Sequence, residues 1–280
     1  MKVALAAMAF TFAANASSAA CGSDPEACSI DQGTYHAVLP KGDIKGSVIF
    51  LHGGGGSGKG SISNKRWVPA MLENGFAVIT PDGKVRPGRN RRGWSFHPDR
   101  PKRRDEVAFL SAVRDDAAQR FGLDATRMML GGFSIGGSMT HYLACEAPDT
   151  FYAYIPVGGA FWRPHPDACN GPVRLLHTHG WTDTTVPLEG RVLRGVDADD
   201  PDAFMQGDVY YAMELWRAEN GCRQLRGDRF NTTEAFWRRA WVRCDPDTAL
   251  ELALFPGGHT VPNGWAEMVT EWFAVQTNTN

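Results

Sequence analysis

Residues 131–137 read Gly131-Gly132-Phe133-Ser134-Ile135-Gly136-Gly137, a G-x-S-x-G element between the apolar run Met128-Met129-Leu130 and a helix-like stretch beginning near Ser138. A serine on a cramped strand-to-helix turn, flanked by positions without side chains, is held out for nucleophilic attack. Its hydroxyl is a weak nucleophile until a neighbouring base takes its proton, so the pattern calls for a histidine and a carboxylate further along the chain. A pattern with three fixed positions recurs by chance in a chain of 31 glycines. The residues downstream therefore carry the argument.

Val173-Arg174-Leu175-Leu176-His177-Thr178-His179 has the composition of a buried strand and opens into Gly180-Trp181-Thr182-Asp183, which puts Asp183 on the loop past a strand end. Leu250–Phe255 likewise runs into Pro256-Gly257-Gly258-His259. The order Ser134, Asp183, His259 is that of a nucleophile, a carboxylate that orients the imidazole, and a general base. Upstream, a strand over Lys45–Leu51 ends in His52-Gly53-Gly54-Gly55-Gly56, a loop whose backbone N–H would meet a developing oxyanion. Gly54 is the favoured donor, Gly55 the second choice, and the N–H of Ile135 the partner. Gly53–Lys59 also fits most of a phosphate-binding loop, but Gly60 stands where that loop needs Ser or Thr.

Three loops after three strands converge only if the strands are parallel, since ligands in open α/β sheets bind beyond the carboxyl ends of the strands. A strand over Ser47–Leu51, a helix over Lys65–Glu73 and a strand over Phe76–Thr80 make such a unit, and Gly33–Leu39 alternates like an early antiparallel strand. The expected fold is α/β, a mostly parallel central sheet with helices on both faces. Asp105-Glu106 opens an amphipathic helix with acids in its first turn, and Leu188–Arg243 forms a long insert with a helix over Asp208–Glu219. Residues 82–104 hold nine basic side chains with Trp94 and Phe96. They read as a solvated connection, or as a loop over the site gripping an anionic or sugar substrate. His177 and His179 face one side of a strand without companion ligands, so structural roles outweigh a metal pair. Trp181 and Trp265 are expected in the core.

Lys2, an apolar stretch from Val3 to Ala14 and small residues to Ala20 predict a secretory signal peptide over 1–20, leaving 21–280 as one catalytic domain, secreted or periplasmic. Ser18-Ala19-Ala20-Cys21 faintly resembles a lipobox, so a lipid anchor at Cys21 is the alternative. Six cysteines, Cys21, Cys28, Cys145, Cys169, Cys222 and Cys244, favour disulfides in an exported chain; of the 15 possible pairings, proximity favours neighbours in that order. A net charge of −2 gives no reason to expect nucleic acid, and no stretch reaches membrane-spanning length. No cofactor or metal is called for.

The run Asp105–Leu110, Asp124-Ala125-Thr126-Arg127-Met128, Gly132–Thr140, Pro148-Asp149-Thr150-Phe151, His179–Asp183 with Val186-Pro187, Asn220-Gly221-Cys222 and Gly257-Gly258-His259 resembles the secreted polyhydroxybutyrate depolymerase and feruloyl esterase group of α/β-hydrolases. The resemblance implies carboxylic ester hydrolysis through an acyl-enzyme, with Ser134, Asp183 and His259 as triad. It implies a small-molecule or oligomeric ester as partner. No polymer-binding domain follows residue 280, which favours oligomers over solid polyester. A serine peptidase of the same fold and a non-catalytic binding module are the competing expectations.

Overall fold

The computed structural model describes residues 21–24, 26–193, 197–199 and 203–277; the expected signal peptide, residues 1–20, lies outside them. The chain opens with β1 (Cys28–Ile30) and β2 (Gly33–Val38), then β3 (Gly46–Leu51), α1 (Gly58–Ile62), α2 (Val68–Glu73) and β4 (Phe76–Pro81). A short ribbon, β5 (Lys84–Val85) with β6 (Arg92–Gly93), precedes α3 (Glu106–Phe121), β7 (Met128–Phe133), α4 (Ile135–Glu146), β8 (Ala153–Val157) and β9 (Arg174–Gly180). A second ribbon, β10 (Arg191–Val192) with β11 (Met205–Gln206), leads to α5 (Val209–Glu219), β12 (Arg229–Thr232), β13 (Trp237–Trp241), β14 (Ala249–Phe255) and α6 (Trp265–Thr277).

Ten of these strands form one sheet in the order β1-β2-β4-β3-β7-β8-β9-β14-β13-β12. The six central strands, β4 to β14 in that order, are mutually parallel. The outer pairs on either side are antiparallel. Strands covered on both faces read as unbroken apolar runs, which is why β3, β4 and β7 were legible as Val-, Ile-, Leu- and Met-rich segments. One face carries Phe109, Leu110 and Val113 of α3, Met139 and Leu143 of α4, and Trp216 of α5. The other carries Met71 of α2 with Trp265, Trp272 and Phe273 of α6. Trp265 is thus a core residue as expected, whereas Trp181 is 53% exposed and meets Trp237 edge-on.

Local chemistry moved some boundaries. The helix expected from Lys65 begins at Val68, because Asn64 Oδ1 accepts from the N–H of Arg66 and Trp67 and holds a turn there. Helix α4 begins at Ile135 rather than near Ser138, directly from the elbow. The insert contributes β12 and β13 to the sheet edge besides the expected helix α5. Disulfides join Cys21 to Cys28, Cys145 to Cys169 and Cys222 to Cys244. A Cys21 sulfur bonded to Cys28 has no valence left for a lipid thioether. Among the described residues, no helix is long and apolar enough to cross a membrane.

Candidate active site

Strand β7 ends at Phe133, and Ser134 turns the chain into α4 with φ 59° and ψ −122°. A serine rarely adopts positive φ, so this conformation is imposed by its surroundings. The Ser134 N–H donates to Val157 O on β8 at 2.9 Å, and its carbonyl accepts from Ser138 N in the first turn of α4 at 2.9 Å. The flanking glycines let the backbones touch. A Cβ on Gly132 would lie 2.5 Å from the carbonyl of Gly136, and one on Gly136 would lie 2.8 Å from the carbonyl of His52.

Asp183 and His259 arrive on neighbouring parallel strands, β9 and β14, in register from Ala249 opposite Arg174 to Phe255 opposite Gly180. Past the strand ends the two loops are laced together. Trp181 N–H donates to Phe255 O at 2.9 Å and Thr182 N–H to Gly257 O at 3.0 Å. Gly180 permits this approach, since a Cβ there would lie 2.5 Å from the Gly257 carbonyl. Asp183 is 5% exposed. Its Oδ1 accepts from the N–H groups of Thr185 and Val186 at 2.9 and 2.8 Å, and its Oδ2 accepts from His259 Nδ1 at 2.7 Å. Burial pushes the carboxyl up, but His259 and the Val186 N–H outweigh it and hold Asp183 below the usual carboxylate range. With Nδ1 donating to an ionised carboxylate, Nε2 of His259 is left as an acceptor. The imidazole packs against Phe133 with ring centroids 4.6 Å apart. His259 and Ser134 both line a cleft of about 490 Å³, together with His52, Gly54 and Thr185.

Behind Asp183 runs a file of buried imidazoles. Trp216 Nε1 donates to His141 Nδ1 at 3.0 Å, His141 Nε2 to His177 Nδ1 at 2.9 Å, and His177 Nε2 to His179 Nδ1 at 3.0 Å. His179 Nε2 donates to Val186 O at 2.7 Å and stands 3.6 Å from Asp183 Oδ2. Since the Trp216 indole can only donate, it fixes one tautomer down the whole file, each ring neutral with its proton on Nε2. Burial pushes His141 down to about 3, His177 well below its ordinary value and His179 in the same direction. His177 and His179 therefore have the structural role expected of them, using their ring nitrogens on each other and on the Asp183 loop. His141 had no partner motif in sequence, because its partners are 36 and 75 residues away.

The glycine loop after β3 is braced from below. His52 donates from Nδ1 to Gly53 O at 2.7 Å and accepts at Nε2 from Gly83 N–H at 3.0 Å; Trp94 Nε1 donates to His52 O at 2.9 Å. The N–H of Gly55 is taken by Arg92 O and that of Gly56 by Gly53 O, each at 3.0 Å. Among the described residues the N–H of Gly54 has no partner, and a Cβ on Gly54 would stand 3.7 Å from Ile135 Cδ1. Of the two glycines named in the sequence, Gly54 is the one with a free donor beside Ile135. The phosphate-loop alternative meets a carboxylate: Asp82 Oδ1 accepts from Gly58 N–H at 2.9 Å, at the turn where a phosphate would be cradled. Trp94 is 3% exposed and braces this loop. Arg104 and Glu106 form a buried ion pair at 2.7 Å, where the sequence had shown only a loop cation and a first-turn acid.

Residues 34–194 match the family model described as phospholipase/carboxylesterase. The chain belongs to the phospholipase/carboxylesterase family. A family member of this kind is a hydrolase acting on ester bonds, and its architecture is the α/β-hydrolase fold. The chain is 28% identical over 243 residues, 81% of this chain and 68% of the other, to the protein named "Putative esterase NocK" of Nocardia uniformis subsp. tsuyamanensis. It is 32% identical over 88 residues, 31% of this chain and 32% of the other, to feruloyl esterase C of Emericella nidulans. The acetyl xylan esterase from Aspergillus awamori superposes with a TM-score of 0.61 at 17% identity, over 86% of this chain and 93% of that one, a likeness of fold.

Proposed function

We propose that this family member is an exported serine esterase in which Ser134, His259 and Asp183 act as a catalytic triad. The observation that carries the reading is the 2.7 Å hydrogen bond from His259 Nδ1 to Asp183 Oδ2, with Ser134 and His259 lining the same cleft. His259 Nε2 takes the Ser134 proton as Oγ attacks the ester carbonyl, and the N–H groups of Gly54 and Ile135 hold the resulting oxyanion. Collapse breaks the bond to the alcohol oxygen, which takes the proton from His259. Water, deprotonated by the same imidazole, then releases the acid from Ser134. Asp183 stays ionised throughout and stabilises the imidazolium.

Residues 1–20 act in this reading as a signal peptide and 21–280 as the catalytic domain. Disulfides support an oxidising compartment. The substrates are feruloyl- or acetyl-type esters, in keeping with the names of the relatives, or hydroxyalkanoate oligomers, in keeping with the sequence resemblance. Hydrolysis of p-nitrophenyl acetate and butyrate tests the chemistry. Ser134→Ala should lower kcat by about 10³-fold or more; turnover surviving in that variant overturns the assignment.

A further inference from the structure

A second cavity of about 670 Å³ has Ile135, the residue after Ser134, in its lining. Its walls combine aromatic rings, among them Phe96 and Trp162, with the guanidinium groups of Arg86, Arg100 and Arg103. Other cations of this segment are compensated: Arg92 faces Asp82 at 3.5 Å, Lys102 faces Glu146 at 3.7 Å, and Arg104 pairs with Glu106. Among the described residues Arg86, Arg91 and Arg103 make no ion pair. Arg103 has Nε and Nη2 buried without a hydrogen-bond partner. Arg86 is pressed against the ribbon, where a Cβ on Gly93 would lie 2.9 Å from its Nε. Arg91 lies on the glycine loop, where a Cβ on Gly55 would lie 2.7 Å from its Nε.

Burial and the like charges of Arg103, Arg91 and Arg89 push the Arg86 guanidinium below its ordinary value. Arg103, with two buried donors unused, is costly when alone and attracts an anion strongly, and the exposed Arg86 beside it adds a second positive charge. The planar guanidinium fork matches a carboxylate in two hydrogen bonds. The apolar remainder of the wall suits a carboxylate attached to an organic chain or ring, which is less costly to strip of water than a phosphate dianion.

We propose that this cavity binds a carboxylate carried by the substrate itself, so that the preferred esters are anionic ones whose charged end passes Ile135 to reach Arg86 and Arg103. The proposal rests on the serine-esterase reading, which supplies the reacting ester beside Ser134.

Two matched pairs of esters test it. 4-Acetoxybenzoate and 4-acetoxybenzamide share one scaffold and differ in charge on the alcohol side, and the slightly better leaving group of the neutral member works against the expected preference. The mono-p-nitrophenyl ester of suberate and its methyl-capped counterpart differ on the acyl side. In at least one pair the anionic member should be favoured in kcat/KM by about tenfold or more, the effect of one hydrogen bond to a charged group. The ratio should fall below about threefold in Arg103→Gln or Arg86→Gln, and should narrow in wild-type enzyme at 1 M NaCl, where the exposed Arg86 is screened. Circular dichroism establishes that each variant is folded, and the salt titration needs no variant. A ratio near one in both wild-type pairs, or a ratio that survives both substitutions and salt, overturns the proposal. Hydrolysis of the neutral esters, and its loss in Ser134→Ala, tests the underlying reading separately.

Discussion

Asp82 shows how much of this site depends on a side chain that carries no motif. Its Oδ1 holds Gly58 N–H, its Oδ2 accepts from Thr34 Oγ1 at 2.9 Å, and the next residue, Gly83, donates to the imidazole under the glycine loop. Burial pushes the carboxyl up, but His36, Gly58, Thr34 and Arg92 together hold it far below the usual range. Asp82→Asn should cost about 2 kcal/mol at pH 7. Because the folded pKa is depressed, the unfolded chain takes up the proton first as pH falls, and the stabilisation drains away below the ordinary carboxylate pKa. The gap between wild type and variant in urea unfolding should therefore narrow by about 1 kcal/mol at pH 3. An unchanged gap contradicts this account. Ser134, Asp183 and His259 were legible as residues because each follows an apolar run that reads as a strand. Asp82 was hidden because its partners come from Thr34, Gly58 and Arg92, which only the folded sheet edge brings together.

At the scale of elements, β9 presents the Asp183 loop and the histidine file fixes it from behind. His179 Nε2 holds the carbonyl of Val186, whose N–H in turn holds Asp183. His179→Phe keeps the ring and removes both hydrogen bonds, so the carboxylate should lose its alignment while the substrate cleft stays intact. We expect kcat on p-nitrophenyl butyrate to fall about 10- to 100-fold with KM within about twofold. A rise in KM with kcat preserved counts against a positioning role. The central strands were readable because burial on both faces leaves only apolar residues in them. Strand β13, Trp-Arg-Arg-Ala-Trp, was not, since next to the edge strand it alternates exposed with half-buried positions, and the half-buried Arg238 pairs with Glu251 of β14. Strand β8 is five residues with Pro156 inside it, too short to stand out.

For the whole molecule, three neutral histidines in one core make folding sensitive to acid. Their folded pKa values lie below the ordinary 6.5, so the unfolded chain binds protons that the folded chain refuses. Stability should rise with pH up to about 6.5 and fall below it, each histidine adding about 1.4 kcal/mol per pH unit to the slope. Between pH 4.5 and 5.5 His141 and His177, held furthest below, together approach about 3 kcal/mol per unit, and His179 adds to the slope in the same direction. In His141→Gln the urea-derived slope should drop by one proton; an unaltered slope contradicts the neutral file. The sheet brings four loops, from β3, β7, β9 and β14, to one edge, where we propose that Ser134 becomes a nucleophile. Fluorophosphonate labelling followed by peptide mapping tests that most directly. A single adduct on Ser134 is expected, formed in folded wild-type protein and absent from Ser134→Ala and after denaturation. An adduct on another residue, or none on folded protein, would contradict it.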